Sequence, residues 1–282
     1  MVKRKILLLL TIVAGVVCTS CGRVVRPSDN VVSHNFTLAD FDEIDAAVVN
    51  VQYSVGTPGS ATLTAPDNII DLIEVRVDKG ELEVALKDNV RISGRVDATL
   101  TVSSTSLREV DCAAGAVVTV GTPIMLNSDF DANVSSGAKL HIASLSCKGI
   151  DVEVSSAAEV VIDSCFGAKF EGEAAAAGNM AVRNLSIEGA ISLETSSAGK
   201  IDIDSAVCRR LAIEASSVGY AIVSRGDVGT VSIEASSASS VKVGATFDGG
   251  SAEASSGASV HVDTAKLTRT ESSSGGSIHS LR

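Results

Sequence analysis

Ile191-Ser192-Leu193-Glu194-Thr195-Ser196-Ser197-Ala198-Gly199-Lys200-Ile201-Asp202-Ile203 is echoed twenty residues later by Leu211-Ala212-Ile213-Glu214-Ala215-Ser216-Ser217-Val218-Gly219-Tyr220-Ala221-Ile222-Val223. Both stretches follow one plan: an alternating apolar run, an acidic residue, a Ser pair, small residues and a second alternating run. Successive side chains of an extended strand point to opposite faces, so Ile191, Leu193 and Thr195 share one side while Ser192 and Glu194 share the other. The Ser pair and the small residues after it read as a tight corner, where Gly takes positive φ at little cost.

The unit runs from Asp111-Cys112-Ala113-Ala114 and Asn133-Val134-Ser135-Ser136 through Glu153, Glu173, Glu194, Glu214, Glu234, Glu253 and Glu271, in steps of 22, 20, 20, 21, 20, 20, 19 and 18 residues. A period near 20 built from short Val/Ile runs suits one coil of a parallel β-helix, whose extended path of about 66 Å closes round a narrow core. Helical repeats need longer units, and the leucine-rich pattern and the calcium-binding nonapeptide are both missing. The predicted fold is therefore all-β, a parallel β-helix-like solenoid with ~20-residue coils. Phe130, Ile150 and Phe170 fall in one inward column, and a second strand follows each corner, as in Leu140-His141-Ile142 and Val260-His261-Val262.

Residues 106–282 form this repeat, and its last unit places Thr270, Ser272 and Ser280 at normally apolar positions, as a self-made cap. Residues 34–105 lack the acidic-x-Ser-Ser signature but hold strand-like runs at Phe41–Tyr53, Ala61–Thr64, Ile73–Val77, Glu81–Leu86 and Val96–Val102, expected as opening coils and an N-terminal cap. Hydrophobic residues make up 45% of the chain but aromatics only 3%, so small and β-branched side chains must fill the interior. The same scarcity argues against a sugar groove lined with stacking rings.

Met1-Val2-Lys3-Arg4-Lys5 precedes an apolar run from Ile6 to Val17, the plan of a signal peptide. Twelve helical residues span about 18 Å, short of the roughly 30 Å hydrocarbon core. Cys18-Thr19-Ser20-Cys21-Gly22 resembles the lipobox of bacterial lipoproteins, with Cys18 where that motif usually has Leu. The expectation is a lipoprotein signal peptide over 1–20, lipidation of Cys21 and a tether over 21–33. The protein would then reach the membrane through its lipid, on the outer membrane, with the periplasmic face favoured over the surface. Removing residues 1–20 leaves 20 Lys+Arg against 34 Asp+Glu, a net charge of −14, which repels nucleic acid. Arg209-Arg210 is the one adjacent basic pair beyond the tether and reads as a solvated loop.

Cys21, Cys112, Cys147, Cys165 and Cys208 show no Cys-x-x-Cys spacing, so neither zinc nor thioredoxin-like chemistry is indicated. Cys147 and Cys165 could bridge in an oxidising compartment, although buried free thiols are the commoner fate. The Ser pairs lack a Gly-x-Ser-x-Gly elbow and recur coil after coil, as corner residues do. His261 and His279 share a repeat position with Asp263 nearby, but no third firm ligand accompanies them. The column Glu153, Glu173, Glu194, Glu214, Glu234, Glu253 and Glu271 stacks carboxylates about 4.8 Å apart. It is either a solvated, splayed ladder that blocks edge aggregation or, with Asp131, Asp151 and Glu171, a weak divalent-cation site. No other metal or cofactor is expected.

Phe41-Asp42-Glu43-Ile44-Asp45, Asn50-Val51-Gln52-Tyr53, Ala65-Pro66-Asp67-Asn68-Ile69-Ile70-Asp71-Leu72-Ile73 and Gly80-Glu81-Leu82-Glu83-Val84, with the Ser-Ser-Ala-Gly and Ser-Ser-Gly-Ala corners, resemble the auto-transporter adhesin, head GIN domain family. The resemblance covers roughly residues 36 to 265. It implies a β-helix-like fold in a secreted or lipoprotein setting and brings no catalytic residues. The acidic column and the Ala-rich coil at Glu173 depart from the family's pattern. The sequence therefore reads as a non-enzymatic envelope lipoprotein, an adhesin-like scaffold or binding module for an unknown protein or glycan. The alternative is a β-helical carbohydrate-active enzyme, a polysaccharide lyase or hydrolase, which needs converging acids in a cleft.

Overall fold

In a computed structural model, which describes residues 23–281, the chain winds into the predicted solenoid. Each coil has three sides. The first sheet holds Phe130–Val134, Gly149–Val154 and their successors in parallel register, with Phe130 beside Ile150, Ile150 beside Phe170 and Phe170 beside Ile191. After the corner, the second sheet stacks Lys139–Ile142 on the start of Glu159–Ala174 and runs on to Ser277–Ser280. The third side, which the repeat did not disclose, is short: Ile124–Met125, Leu145–Ser146, then Cys165-Phe166, Leu185-Ser186 and Ala206-Val207 in register.

Alternation delivers the expected faces. Ile191, Leu193, Ile213, Val231 and Ile233 are buried, as are Phe130, Ile150 and Phe170, while Ser192, Glu194, Ser232 and Glu234 are exposed. The narrow interior is filled by Val, Ile, Leu and Ala, and Cys112, Cys147, Cys165 and Cys208 lie in it as free thiols. Burial pushes the thiols of Cys112 and Cys147 up to about 12 and that of Cys208 up to about 11. They are core residues, and Cys147 and Cys165 form no bridge.

The corner recurs nine times among the described residues with one backbone geometry. Two successive residues are left-handed, for example Ser217 at φ 47 and Val218 at φ 65, and the Gly219 N–H donates to the Ser216 carbonyl at 2.7 Å. Neighbouring corners are stitched together: the Val218 N–H donates to the Ser237 carbonyl at 3.0 Å, and the Ala198 N–H to the Ser217 carbonyl at 3.1 Å. Close stacking explains the small residues. A Cβ on Gly219 would lie 2.5 Å from the Thr195 carbonyl oxygen.

The N-terminal part caps the solenoid with antiparallel pairing. Val31–Thr37 pairs with Ser60–Pro66, which in turn pairs with Thr99–Ser104, and Ile73–Asp78 forms a hairpin with Glu81–Leu86. Part of the stretch expected as a tether is built into this cap, because Arg23–Val25 pairs with Val90–Ile92 and the strand at Val31 begins inside it. The signal segment and Cys21 lie outside the described residues. No helix among the described residues is long and apolar enough to cross a membrane.

Two substitutions test the face assignment. Ile213→Ala should lower unfolding free energy by roughly 2–5 kcal/mol and Ser232→Ala by less than about 0.5, measured by denaturant unfolding; equal losses would refute it. Val218 is β-branched at a position where left-handed backbone costs a non-glycine residue about 1–2 kcal/mol. Val218→Gly should therefore raise stability by about 0.5–1 kcal/mol even though Gly is looser when unfolded.

Candidate functional site

The outward side of the first sheet carries the acidic column at full length. Register places Glu83, Asp45, Asp111, Asn133, Glu153, Glu173, Glu194, Glu214, Glu234, Glu253 and Glu271 side by side, with Glu83 outermost although it follows Asp45 in sequence. Two residues earlier on each strand a second column runs Glu81, Glu43, Glu109, Asp131, Asp151 and Glu171, then continues as Ser192, Ala212 and Ser232. The seven glutamates expected as a ladder are thus aligned, and Asp131, Asp151 and Glu171 share their face.

The first two rungs, Glu83 and Asp45, lie outside the repeat because their coils lack the acidic-x-Ser-Ser signature. Another signal was available: the acid-apolar-acid triplet of Glu43-Ile44-Asp45, Glu81-Leu82-Glu83, Glu109-Val110-Asp111, Asp151-Val152-Glu153 and Glu171-Gly172-Glu173.

Cations hold the two ends of the face. Arg108 reaches Asp42 at 2.8 Å and also contacts Glu43, Arg76 contacts Glu83, and Arg269 lies 3.3 Å from Glu253 and 2.7 Å from Glu271. Lys169 approaches Glu171 at 2.5 Å, and the Asn133 amide donates to Asp111 at 2.9 Å. Glu153, Glu173, Glu194, Glu214 and Glu234 have no ion pair among the described residues.

Crowding is visible in the titration of the central acids. Partial burial, then the neighbouring Glu171, Glu153 and Asp131, push the Asp151 carboxyl up to about 6, against the pull of Lys169. Glu173 is raised by burial and by Glu194, Glu153 and Asp151, and Asp45 by burial, Asp111 and Glu83. Asp131 and Glu109 are also raised, chiefly by burial.

A shallow groove of about 620 Å³ follows Glu194, Glu214, Glu234 and Glu253 beside Ser216 and Ser236, without an aromatic residue in its walls. Its carboxylates occupy one repeated position from coil to coil, and Glu253 among them lies 3.3 Å from Arg269. Among the described residues no three His, Cys, Asp or Glu side chains gather as a metal-ligand cluster. The His261 and His279 rings stack at 5.0 Å, and His261 Nε2 lies 3.2 Å from the Ser259 hydroxyl.

The raised carboxyls set a pH dependence. A folded-state value above the unfolded one gives stability that is fully present below about pH 4 and lost as pH rises through the folded value, near 6 for Asp151. The melting temperature should therefore rise between about pH 8 and pH 5, and Asp151→Asn should raise it at pH 8 and flatten that slope. Asp40 and Asp67, whose carboxyls hydroxyl and amide donors hold low, oppose this only below about pH 4. A melting temperature that falls steadily from pH 8 to 5 would refute the reading.

Comparison with known proteins agrees with this architecture. The family model described as "Putative auto-transporter adhesin, head GIN domain" matches residues 40–188. No curated protein matches the sequence. A structure titled "putative lipid binding protein" from Parabacteroides distasonis superposes with a TM-score of 0.74 at 13% identity, covering 92% of this chain and 100% of its own. A "putative adhesin" from Parabacteroides merdae gives a TM-score of 0.70 at 14% identity over 92% of this chain and 99% of its own. A second P. distasonis "putative adhesin" gives 0.66 at 15% identity, over 89% and 100%. At these identities the likeness shows the fold.

Proposed function

The chain belongs to the family described as "Putative auto-transporter adhesin, head GIN domain", and from that premise we propose that it is a non-enzymatic, adhesin-like binding module of the cell envelope. The observation that carries the reading is the acidic column along the first sheet, in which Asn133 is the one amide. A surface that repeats every coil is matched to an extended partner, protein or glycan, that meets it at many equivalent points. Multiple weak contacts along one line add through effective concentration, which suits adhesion better than a single pocket does. The partner's complementary chemistry is cationic, or anionic with divalent ions between the two surfaces. Acylation of Cys21 would hold the module on the outer membrane, with the periplasmic face favoured.

Two measurements test this function. The full chain and a Glu194→Gln/Glu214→Gln/Glu234→Gln variant are compared for binding to isolated envelopes, with and without chelator and at rising salt. The reading expects at least about a tenfold loss in the variant and weakening as salt screens the face. Equal binding by the two proteins would remove the acidic face from the contact. Incubation with envelope and capsular polysaccharides should release no new reducing ends or unsaturated sugars, and release would instead support the lyase or hydrolase alternative. Separately, Cys21→Ala should free the protein from membranes, and full retention would refute the anchor.

A further inference from the structure

The third side differs from the other two in being individual to each coil. Its outward positions align Met125, Ser146, Phe166, Ser186 and Val207 in one column. Met125 is 80% exposed, Phe166 45% and Val207 48%, which puts three of the exposed large apolar side chains of the described residues into one column, the others, such as Val218 and Tyr220, lying elsewhere. Beside this column lie Lys148 and, two coils on, Glu188, neither of which has an ion pair among the described residues. Glu188 sits in a bulge: three residues, Ile187 to Gly189, span the gap between Ser186 and Ala190, where the next coil uses only Cys208 and Arg209. A bulge re-aims side chains, and here it sends Glu188 outward while Ile187 stays buried. Along the edge toward the first sheet, Asp129 lies beside Gly149, which is followed by Lys169, Ala190 and Arg210.

We propose that this side is a docking surface for a second copy of the chain, packed face to face with the two solenoid axes antiparallel about a two-fold axis through the Phe166 coil. That axis lies in the interface plane, so each coil meets the coil equally far on the other side of Phe166. Phe166 then meets Phe166, Ser146 meets Ser186 and Met125 meets Val207. Lys148 meets Glu188, and Asp129 meets Arg210, each twice. The column is thus complementary to its own reverse in both apolarity and charge, as an isologous contact must be. Lys169 falls on the axis but is turned onto Glu171 of its own chain. The acidic faces of both copies remain free, so the pair would present two ladders.

Five coils at about 4.8 Å and four residues at about 3.3 Å give a patch of roughly 300 Å² on each copy, about 600 Å² in all. Standing complexes bury about 1,200 Å² or more, so the contact belongs to the weak, concentration-dependent class.

Sedimentation velocity of the full chain from about 5 to 500 µM should show a reversible monomer–dimer equilibrium, with dissociation constants in the range of about 100 µM. Phe166→Asp should leave only monomer. Lys148→Glu and Glu188→Lys should each weaken the dimer about tenfold or more, and the double variant should recover most of it, because the swapped charges again meet opposites. Thermal melts of each variant check the fold, and a variant that fails to melt cooperatively is replaced by Phe166→Ser or by Lys148→Gln with Glu188→Gln. Monomer at every concentration would overturn the proposal, as would a dimer indifferent to Phe166 or single-variant losses that the double fails to recover. Phe166-dependent binding of a monomer to vesicles of phosphatidylethanolamine and phosphatidylglycerol would assign the face to lipid and also overturn it.

Discussion

Each of the nine repeated corners places two successive residues in the left-handed region, which L-amino acids other than glycine resist. At Ser217 and Val218 this costs about 2–4 kcal/mol in backbone conformation. Four backbone hydrogen bonds offset it: Ser216 N–H to Thr195, Val218 N–H to Ser237, Gly219 N–H to Ser216 and Tyr220 N–H to Gly199. At about 1 kcal/mol net each, they contribute roughly the same amount. Three of the four reach a neighbouring coil, so an isolated corner would keep the strain and lose most of the compensation. The geometry is stable only as a stack, and this makes the solenoid cooperative along its axis.

Stacking with fixed register has a chemical consequence. Whatever residue occupies one position of a coil meets its counterpart about 4.8 Å above and below, so an outward acid in the repeat becomes a line of acids. Partial burial first, and the neighbouring acids of that line second, push Asp151 up to about 6 and raise Glu173 alongside it. Basic residues are placed at the ends of the line, at Arg76, Arg108 and Arg269, while the central glutamates are left without ion pairs among the described residues. Relief by cations within the fold would have been structurally simple, because Lys200 and Asp202 show such pairing at 3.2 Å on the second sheet. The unrelieved column is therefore a property of the face and not of the repeat as such.

The sequence made the coil legible wherever one side chain determined one position. Ile191, Leu193 and Thr195 alternate with Ser192 and Glu194, and the Ser pair at 196–197 marks the corner, so faces, turn and period followed directly. The cap was less legible, since antiparallel partners such as Val31–Thr37 and Ser60–Pro66 carry no repeat and their pairing is decided by proximity in space. Chain order also misleads there, for Glu81–Leu86 lies outside Glu43–Ala47 and extends the acidic column in reverse. The third side was hidden because each coil gives it only a three-residue alternation, as Leu145 and Cys147, Leu185 and Ile187, or Ala206 and Cys208 around one outward residue, too short to display a period of two.

That third side is also where coil length varies. The step of 22 residues between Asp111 and Asn133 places its surplus around Gly121-Thr122-Pro123 and Asn127-Ser128-Asp129, outside the first two sheets. The step of 21 to Glu194 bulges at Ile187 to Gly189. The step of 18 to Glu271 crosses through the short 3-10 turn at Thr264–Lys266. Insertions cannot enter the corner or the two sheets beside it without breaking hydrogen bonds on both neighbouring coils. They collect on the one side whose ladder is short enough to tolerate them. The same freedom lets single coils carry distinct outward residues there, so the fold separates a face with an acidic residue in nearly every coil from a variable face where Met125, Phe166 and Glu188 each occur once.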